Sequence, residues 1–174
     1  MVPIVLVAAV AIAGVALLLL ERAPSTMKME RVEVAEGKGF SIAPPPDYLL
    51  IVDSRAAVPE GGIALGRENE AGRATIVVVP YPVEHDELVT EQGCQTVAKL
   101  HAKQVGAQLV ASKLVVRDSG SSCTASLSEG PSAVGTMVLQ PIGKDTVMLT
   151  CRHPRDSVRD ADACDAVAKA LRTP

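Results

Sequence analysis

The chain has 174 residues, a net charge of −3 and 48% hydrophobic residues. Its charges of both signs are interspersed, and its only aromatic residues are Phe40, Tyr48 and Tyr81. This composition lacks the basic face and the stacking rings that nucleic-acid recognition needs, so we expect no nucleic-acid partner.

The first predicted element is an apolar stretch at residues 2–20 without a charged or strongly polar side chain. At about 1.5 Å per residue it would measure roughly 28 Å, close to the thickness of the hydrocarbon core of a membrane. No basic residue precedes this stretch, whereas a cleaved secretory signal usually begins with one; cleavage stays the alternative. We interpret residues 1–22 as a transmembrane signal anchor that contacts the membrane through residues 2–20, residues 23–29 as a tether, and residues 30–174 as a single domain.

Two patterns disagree on the orientation of this predicted span. Arg22, Lys28 and Arg31 follow it, and the positive-inside tendency would keep them in the cytoplasm. The four cysteines favour an oxidising compartment, where disulfides persist. We therefore predict a single-pass protein of the cell membrane with its domain on the extracytoplasmic, periplasmic side.

The first half of the domain has the patterns of β-strands. Alternation and glycine-rich turns predict a hairpin of residues 31–34 and 40–42, a strand at 48–52, and a second hairpin of residues 63–66 and 74–79. The triple proline at residues 44–46 interrupts the strands, because proline cannot sit inside a central strand.

The second half begins with a helical pattern and ends with another. Thr90 is the predicted N-cap of the first helix, and Gly106 is its predicted left-handed C-terminal residue. Four β-like stretches with short links follow, at residues 109–116, 123–127, 134–139 and 146–151, and they predict an antiparallel meander. The fold class is therefore α+β, with an antiparallel sheet of about six to eight strands, two main helices packed on it, and one transmembrane helix before it.

The cysteines all lie on the apolar side of their predicted elements. Cys94 and Cys164 lie in the helices, and Cys123 and Cys151 lie in strands. We expect all four to face one shared core, where helix and sheet can be cross-linked. Proximity in sequence favours Cys94 with Cys123 and Cys151 with Cys164, and the other connectivities stay open.

These cysteines have three alternative roles. A zinc site and a redox pair both usually contain C-x-x-C, which this chain lacks, so we expect no metal site. Four buried free thiols stay the alternative to disulfides, since cysteine is often buried without a partner.

Catalytic motifs are missing from the sequence. Ser121 or Ser122 with His85 or His153 would be the residues of a small serine hydrolase, but no G-x-S-x-G surrounds either serine. The serines look like turn residues and His153 like a loop residue, while His101 lies on the inward stripe of the first helix. No phosphate-binding, dinucleotide or zincin motif appears, so we expect no catalytic residue and no cofactor.

The order of features resembles the PsbP/DcrB-like superfamily, as an exported or membrane-anchored member, over about residues 30–172. The matching features are Gly39-Phe40-Ser41-Ile42, then Pro46-Asp47-Tyr48, a helix ending in Gly106, the meander, and Val147 to Cys151 before the closing helix. Tyr48 stands where tryptophan is common in the family, and the N-terminal lipidated cysteine of many relatives is missing.

The resemblance implies an antiparallel sheet flanked by helices, without enzymatic activity, which binds a membrane-associated partner. We therefore expect a membrane-anchored accessory module that supports an envelope protein complex, with a protein partner of unknown identity. One alternative is a cytosol-facing chaperone for membrane-inserting proteins, and another is the small serine hydrolase.

Overall fold

A computed structural model of the chain describes residues 28–52, 58–67, 75–82, 90–117 and 120–174. The predicted transmembrane segment lies outside this part, as does His85. Among the described residues, no helix has both the length and the apolar character needed to cross a membrane.

The described residues form ten strands and two helices. The strands are β1 (Met29–Glu30), β2 (Ala35–Gly37), β3 (Phe40–Ile42), β4 (Tyr48–Ile51), β5 (Ile63–Arg67), β6 (Thr75–Tyr81), β7 (Gln108–Arg117), β8 (Gly120–Glu129), β9 (Ala133–Ile142) and β10 (Asp145–Pro154). The helices are α1 (Glu91–Gln104) and α2 (Val158–Ala170). Eight strands form one sheet in the order β1-β4-β5-β6-β10-β9-β8-β7, and β2 and β3 form a separate hairpin. Every neighbouring pair is antiparallel, so the predicted α+β class, the antiparallel sheet with two helices and the meander are confirmed in this part of the chain.

The large sheet is covered on both faces, and each face has its own apolar core. On one side, here the α1 face, Val97 and Ala98 of α1 pack over residues such as Met137. On the other side, the α2 face, Val167 of α2 and Phe40 of the hairpin pack over the opposite side chains of the same strands. The two predicted helices therefore do pack on the sheet, but on opposite faces.

The opening hairpin lies farther along the chain than predicted. Its first strand is Ala35–Gly37 instead of residues 31–34, because the turn is only Lys38-Gly39, with Gly39 at φ +82°. A two-residue turn pairs the residues that directly flank it. Val34 is consequently outside the hairpin and 54% exposed, and residues 29–30 join the main sheet as β1.

The four strands of the meander are each ten residues long, longer than the sequence pattern indicated. Their pairing continues through polar positions, because ladder hydrogen bonds join backbone groups and not side chains. Ser121, Ser122 and His153 therefore lie in strands β8 and β10, and the predictions of turn and loop positions for them were wrong.

Both helices begin at a hydroxyl cap. The Thr90 side chain accepts a hydrogen bond from the Gly93 amide at 3.0 Å, as predicted, and Gly106 adopts φ +69° after α1. The N-cap of α2 is Ser157. Beyond α2, the backbone of Arg172 exchanges hydrogen bonds with Ser41 of β3 and so fixes the end of the chain to the hairpin.

Candidate functional site

The structure brings the cysteines together in the two pairs that the sequence favoured. Cys94 of α1 and Cys123 of β8 are joined with their Cα atoms 5.4 Å apart. Cys151 of β10 and Cys164 of α2 are joined with a Cα separation of 6.0 Å. Both separations lie in the range of protein disulfides, and each pair connects a helix to the strand beneath it.

The prediction that all four cysteines share one core was wrong. Cys123 aligns with Leu139, which aligns with Met148 of β10. Cys151 lies three positions beyond Met148, and side chains alternate along a strand, so it faces the other side of the sheet. The first pair therefore lies on the α1 face and the second pair on the α2 face.

The described residues of the hypothetical hydrolase, Ser121, Ser122 and His153, are not brought together. Ser121 shares the α1 face with Cys123, whereas His153 shares the α2 face with Cys151. Ser122 does lie on the α2 face, but His153 aligns through Val134 with Ser128, farther along β8. The six positions from Ser122 to Ser128 span about 20 Å along the strand. The opposite faces exclude a direct hydrogen bond from Ser121 to His153, and the distance along the strand excludes one from Ser122.

A buried polar cluster lies on the α2 face, where three strands and α2 meet. Tyr48 of β4 aligns with Arg67 of β5. His153 of β10 reaches the same level, because Thr75 aligns with both Gly66 and Arg152, the residues directly before Arg67 and His153. The first turn of α2 places Asp160 over this row of side chains. Asp160 is 1% exposed although it is a carboxylate.

The Asp160 carboxylate receives hydrogen bonds from three elements. The Tyr48 hydroxyl donates to it at 2.7 Å, the Ser157 hydroxyl at 2.6 Å and an Arg67 guanidinium N–H at 3.2 Å. Burial by itself would raise the pKa of Asp160. The bonds from Ser157 and Tyr48 and the charges of Arg67 and His153 together hold the pKa below its usual value. Asp160 is therefore an anion held in the interior by its neighbours.

This arrangement holds α2 in place. Asp160 anchors the start of the helix, Cys164 its middle, and the bridge of Arg172 to Ser41 the residues beyond its end. At the surface, Arg159 of α2 also pairs with Asp47. From the sequence we predicted no site residue at the start of this helix, but Ser157-x-x-Asp160 before an apolar helix has the pattern of a capping box and marks this position.

The α1 face contains polar groups without a hydrogen-bond partner among the described residues. His101 of α1 is fully buried, and neither of its ring nitrogens forms a hydrogen bond with a described residue. The Tyr81 hydroxyl and the Gln104 side-chain oxygen are also buried without a hydrogen bond to a described residue. Burial lowers the pKa of His101 to about 4, so its ring is neutral near pH 7. We predicted a buried position for His101, and the structure confirms it, but it supplies no hydrogen-bond partner.

A partly buried ion pair also lies on the α1 face, between Arg152 of β10 and Glu129 of β8. Strand β9 separates these two strands, and Gly135 occupies β9 directly beside Arg152. A Cβ atom at Gly135 would lie 3.5 Å from a Glu129 carboxylate oxygen and 3.3 Å from the Cys151 carbonyl oxygen. A side chain at this position would thus touch the carboxylate at an ordinary contact distance and be tight only against the Cys151 carbonyl. Burial raises the pKa of Glu129. Among the described residues, no three His, Cys, Asp or Glu side chains converge on a point where they could hold a metal ion.

Comparison with known proteins gives a likeness in fold without a likeness in sequence. No protein-family model and no curated protein matches the chain. The solution structure of cyanobacterial PsbP (CyanoP) from Synechocystis sp. PCC 6803 matches 87% of this chain and 95% of its own, with a TM-score of 0.58 and 11% identity. The crystal structure of LpqN, a Mycobacterium tuberculosis protein involved in cell envelope biogenesis, matches 78% of this chain and 83% of its own, with a TM-score of 0.47 and 15% identity. The match to CyanoP shows that this chain has a PsbP-like fold, as the sequence resemblance implied.

Proposed function

We propose that this PsbP-like domain is a membrane-anchored, extracytoplasmic binding or accessory module that has no catalytic activity and supports an envelope protein complex. The observation that carries the proposal is the position of the four cysteines. They form two helix-to-sheet pairs at disulfide separations, one on each face of the sheet. Such pairs contribute most where disulfides persist, which is outside the cytoplasm.

A binding role is supported by the way the polar groups are used. The buried carboxylate of Asp160 and the partly buried pair of Arg152 with Glu129 both connect structural elements. Of the candidate nucleophiles, Ser121 lies on the opposite face of the sheet from His153. Ser122 lies on the same face but far from His153 along the strand. A rigid sheet fixed to two helices suits a domain that presents a surface to another protein.

The first experiment is thiol alkylation of the full-length protein in its native membrane, denatured without reductant and analysed by mass. We expect no cysteine to be modified until a reductant is added, and all four to be modified afterwards. Modification of all four without reductant would contradict the extracytoplasmic placement and favour the cytosol-facing chaperone. Fluorophosphonate treatment of the same membranes is expected to label no serine of this protein, whereas labelling of Ser121 or Ser122 would favour the hydrolase.

The accessory role is tested by chemical cross-linking followed by purification from solubilised membranes. We expect the full-length protein to copurify with subunits of an envelope complex in a fixed ratio. A version that lacks residues 1–22 is the matched control for the anchor. Recovery of the protein alone after cross-linking would contradict the accessory role.

A further inference from the structure

The two edges of the large sheet are very different. At one edge, β1 has only two residues. At the other edge, β7 has ten residues, and no described strand pairs with its outer side. An edge strand presents unpaired backbone N–H and C=O groups, to which an additional strand can bind.

The side chains of β7 also leave apolar surface uncovered. Val110 and Val116 are 67% and 74% exposed. The register between β7 and β8 shifts between Leu109 and Ala111, so a bulge interrupts the first part of the edge. The regular part is Ala111 to Arg117, which is long enough for strand addition and has an exposed valine that a new cross-strand neighbour would cover.

The charge of this region is opposite to that of the whole chain. From residue 91 to residue 117, which spans α1 and β7, there are four basic residues and one acidic residue, for a net charge of +3. The whole chain has a net charge of −3, so the remainder carries −6. Lys113 is exposed in the middle of the regular edge, and Lys99 and Lys103 are exposed on α1, which packs against β7.

From this combination we infer that the edge of β7 from Ala111 to Arg117 binds an extended, acidic segment of a partner protein by strand addition. The inference rests on the proposed binding role and specifies its surface. A second copy of this chain is a poorer occupant, because β7 contains no acidic residue to pair with Lys113 or Arg117 of the other copy. Lys113 would thus oppose self-pairing and favour an acidic strand.

The position of this edge fits such a role. The chain enters the domain from residues 1–27 at β1, and seven strand spacings separate β1 from β7. At about 4.8 Å each, these spacings place the two edges roughly 34 Å apart across the sheet. The β7 edge is therefore far from the point where the tether enters.

The test uses the full-length protein in the membranes of its source cells, with a photoreactive amino acid at one of two sites. The test site is Val116 of β7, and Val158 of α2 is its matched control, since the two side chains are 74% and 73% exposed. We expect cross-linking from position 116, but not from position 158, to a segment with Asp or Glu at alternate positions, identified by mass spectrometry. Lys113→Glu in the chain labelled at position 116 is expected to lower the yield about tenfold.

A synthetic copy of the cross-linked segment then tests the geometry without altering the protein. Methylation of one set of alternate backbone amides should weaken binding about tenfold, and methylation of the other set should not, since only one set faces β7 in strand addition. Equal yields from both sites, a product with a second copy of the chain, a segment without acidic residues, or equal effects of the two methylations would each overturn the inference. If one of these results occurs while the protein still copurifies with its complex, the inference fails and the proposed function stands. If the protein copurifies with no partner, both the inference and the proposed function fail.

Discussion

Asp160 keeps its charge in the interior because its neighbours replace the water that it loses. Tyr48 and Ser157 donate to it, and Arg67 supplies the opposite charge. Removing one partner of a buried ion pair is costly because the other partner remains without compensation. The contribution of Asp160 to the stability of α2 can therefore be measured by a substitution that keeps its shape.

We expect Asp160→Asn to lower the free energy of unfolding by about 3 kcal/mol, because it removes the charge opposite Arg67 and weakens the two hydroxyl hydrogen bonds. The measurement is urea denaturation of the purified full-length protein. Asp162→Asn, on the exposed side of the same helix, is the control and should change stability by less than about 0.5 kcal/mol. Equal effects of the two substitutions would show that Asp160 does not act through these contacts.

His101 gives a second prediction, this time for the dependence of stability on pH. Its pKa is about 4 in the folded protein and about 6.5 in an unfolded chain, so the unfolded state binds the proton more readily between these values. The contribution of the neutral ring is present above pH 6.5 and is lost as the pH falls, by roughly 3 kcal/mol at pH 4.

His101→Leu removes this titration. As the pH falls from 7 to 4, the wild-type protein should therefore lose more stability than the variant. The measurement is the free energy of unfolding of both proteins at several pH values. Other groups, including Glu129, titrate in both proteins and cancel in the difference. Parallel curves for the two proteins would contradict the prediction.

At the scale of single residues, the sequence indicated burial more reliably than partners. The apolar stripe of α1 placed His101 inside, and the structure confirms this. The contact of Asp160 with Tyr48 joins residues 112 positions apart, so it depends on the complete order of strands. No local pattern contains that order, and the capping box marked only the near partner, Ser157.

The secondary-structure elements were predictable where a local pattern determines them. Thr90 and Gly106 mark the ends of the first helix because capping requires a hydroxyl at one end and a left-handed residue at the other. The face that each strand presents was not predictable. It depends on the register, which the turns set, and a shift of one residue moves a side chain to the opposite face. The wrong prediction of one core for Cys123 and Cys151 has this cause.

The described part of the molecule has one large sheet with a separate apolar core on each face, and each core contains its own cysteine pair. The pairs close loops with sequence separations of 29 and 13 residues. In the chain-entropy model these loops correspond to roughly 3–4 kcal/mol for the first pair and about 3 kcal/mol for the second. Because the two pairs share no core residue, their contributions should be independent.

We expect replacement of both pairs by alanine to cost the sum of the two single-pair replacements, within about 0.5 kcal/mol. Thermal or urea unfolding of the four proteins, in sucrose so that the quadruple variant stays folded, provides the test. The variant without Cys94 and Cys123 should lose the larger amount. A quadruple variant that is much more stable or much less stable than the sum would mean that the two faces are energetically coupled.

The chain enters the sheet at β1, and the opposite edge is β7, whose outer side pairs with no described strand; six strands lie between them. Hydrogen bonds between strands run perpendicular to the strands, from one edge toward the other. A tensile force applied between the two edges would therefore act on all the strand ladders in series. It would pull along the hydrogen bonds and separate the strands by peeling instead of by shear. Neither cysteine pair joins one strand to another, so the backbone ladders and the side chains packed on them would bear this load.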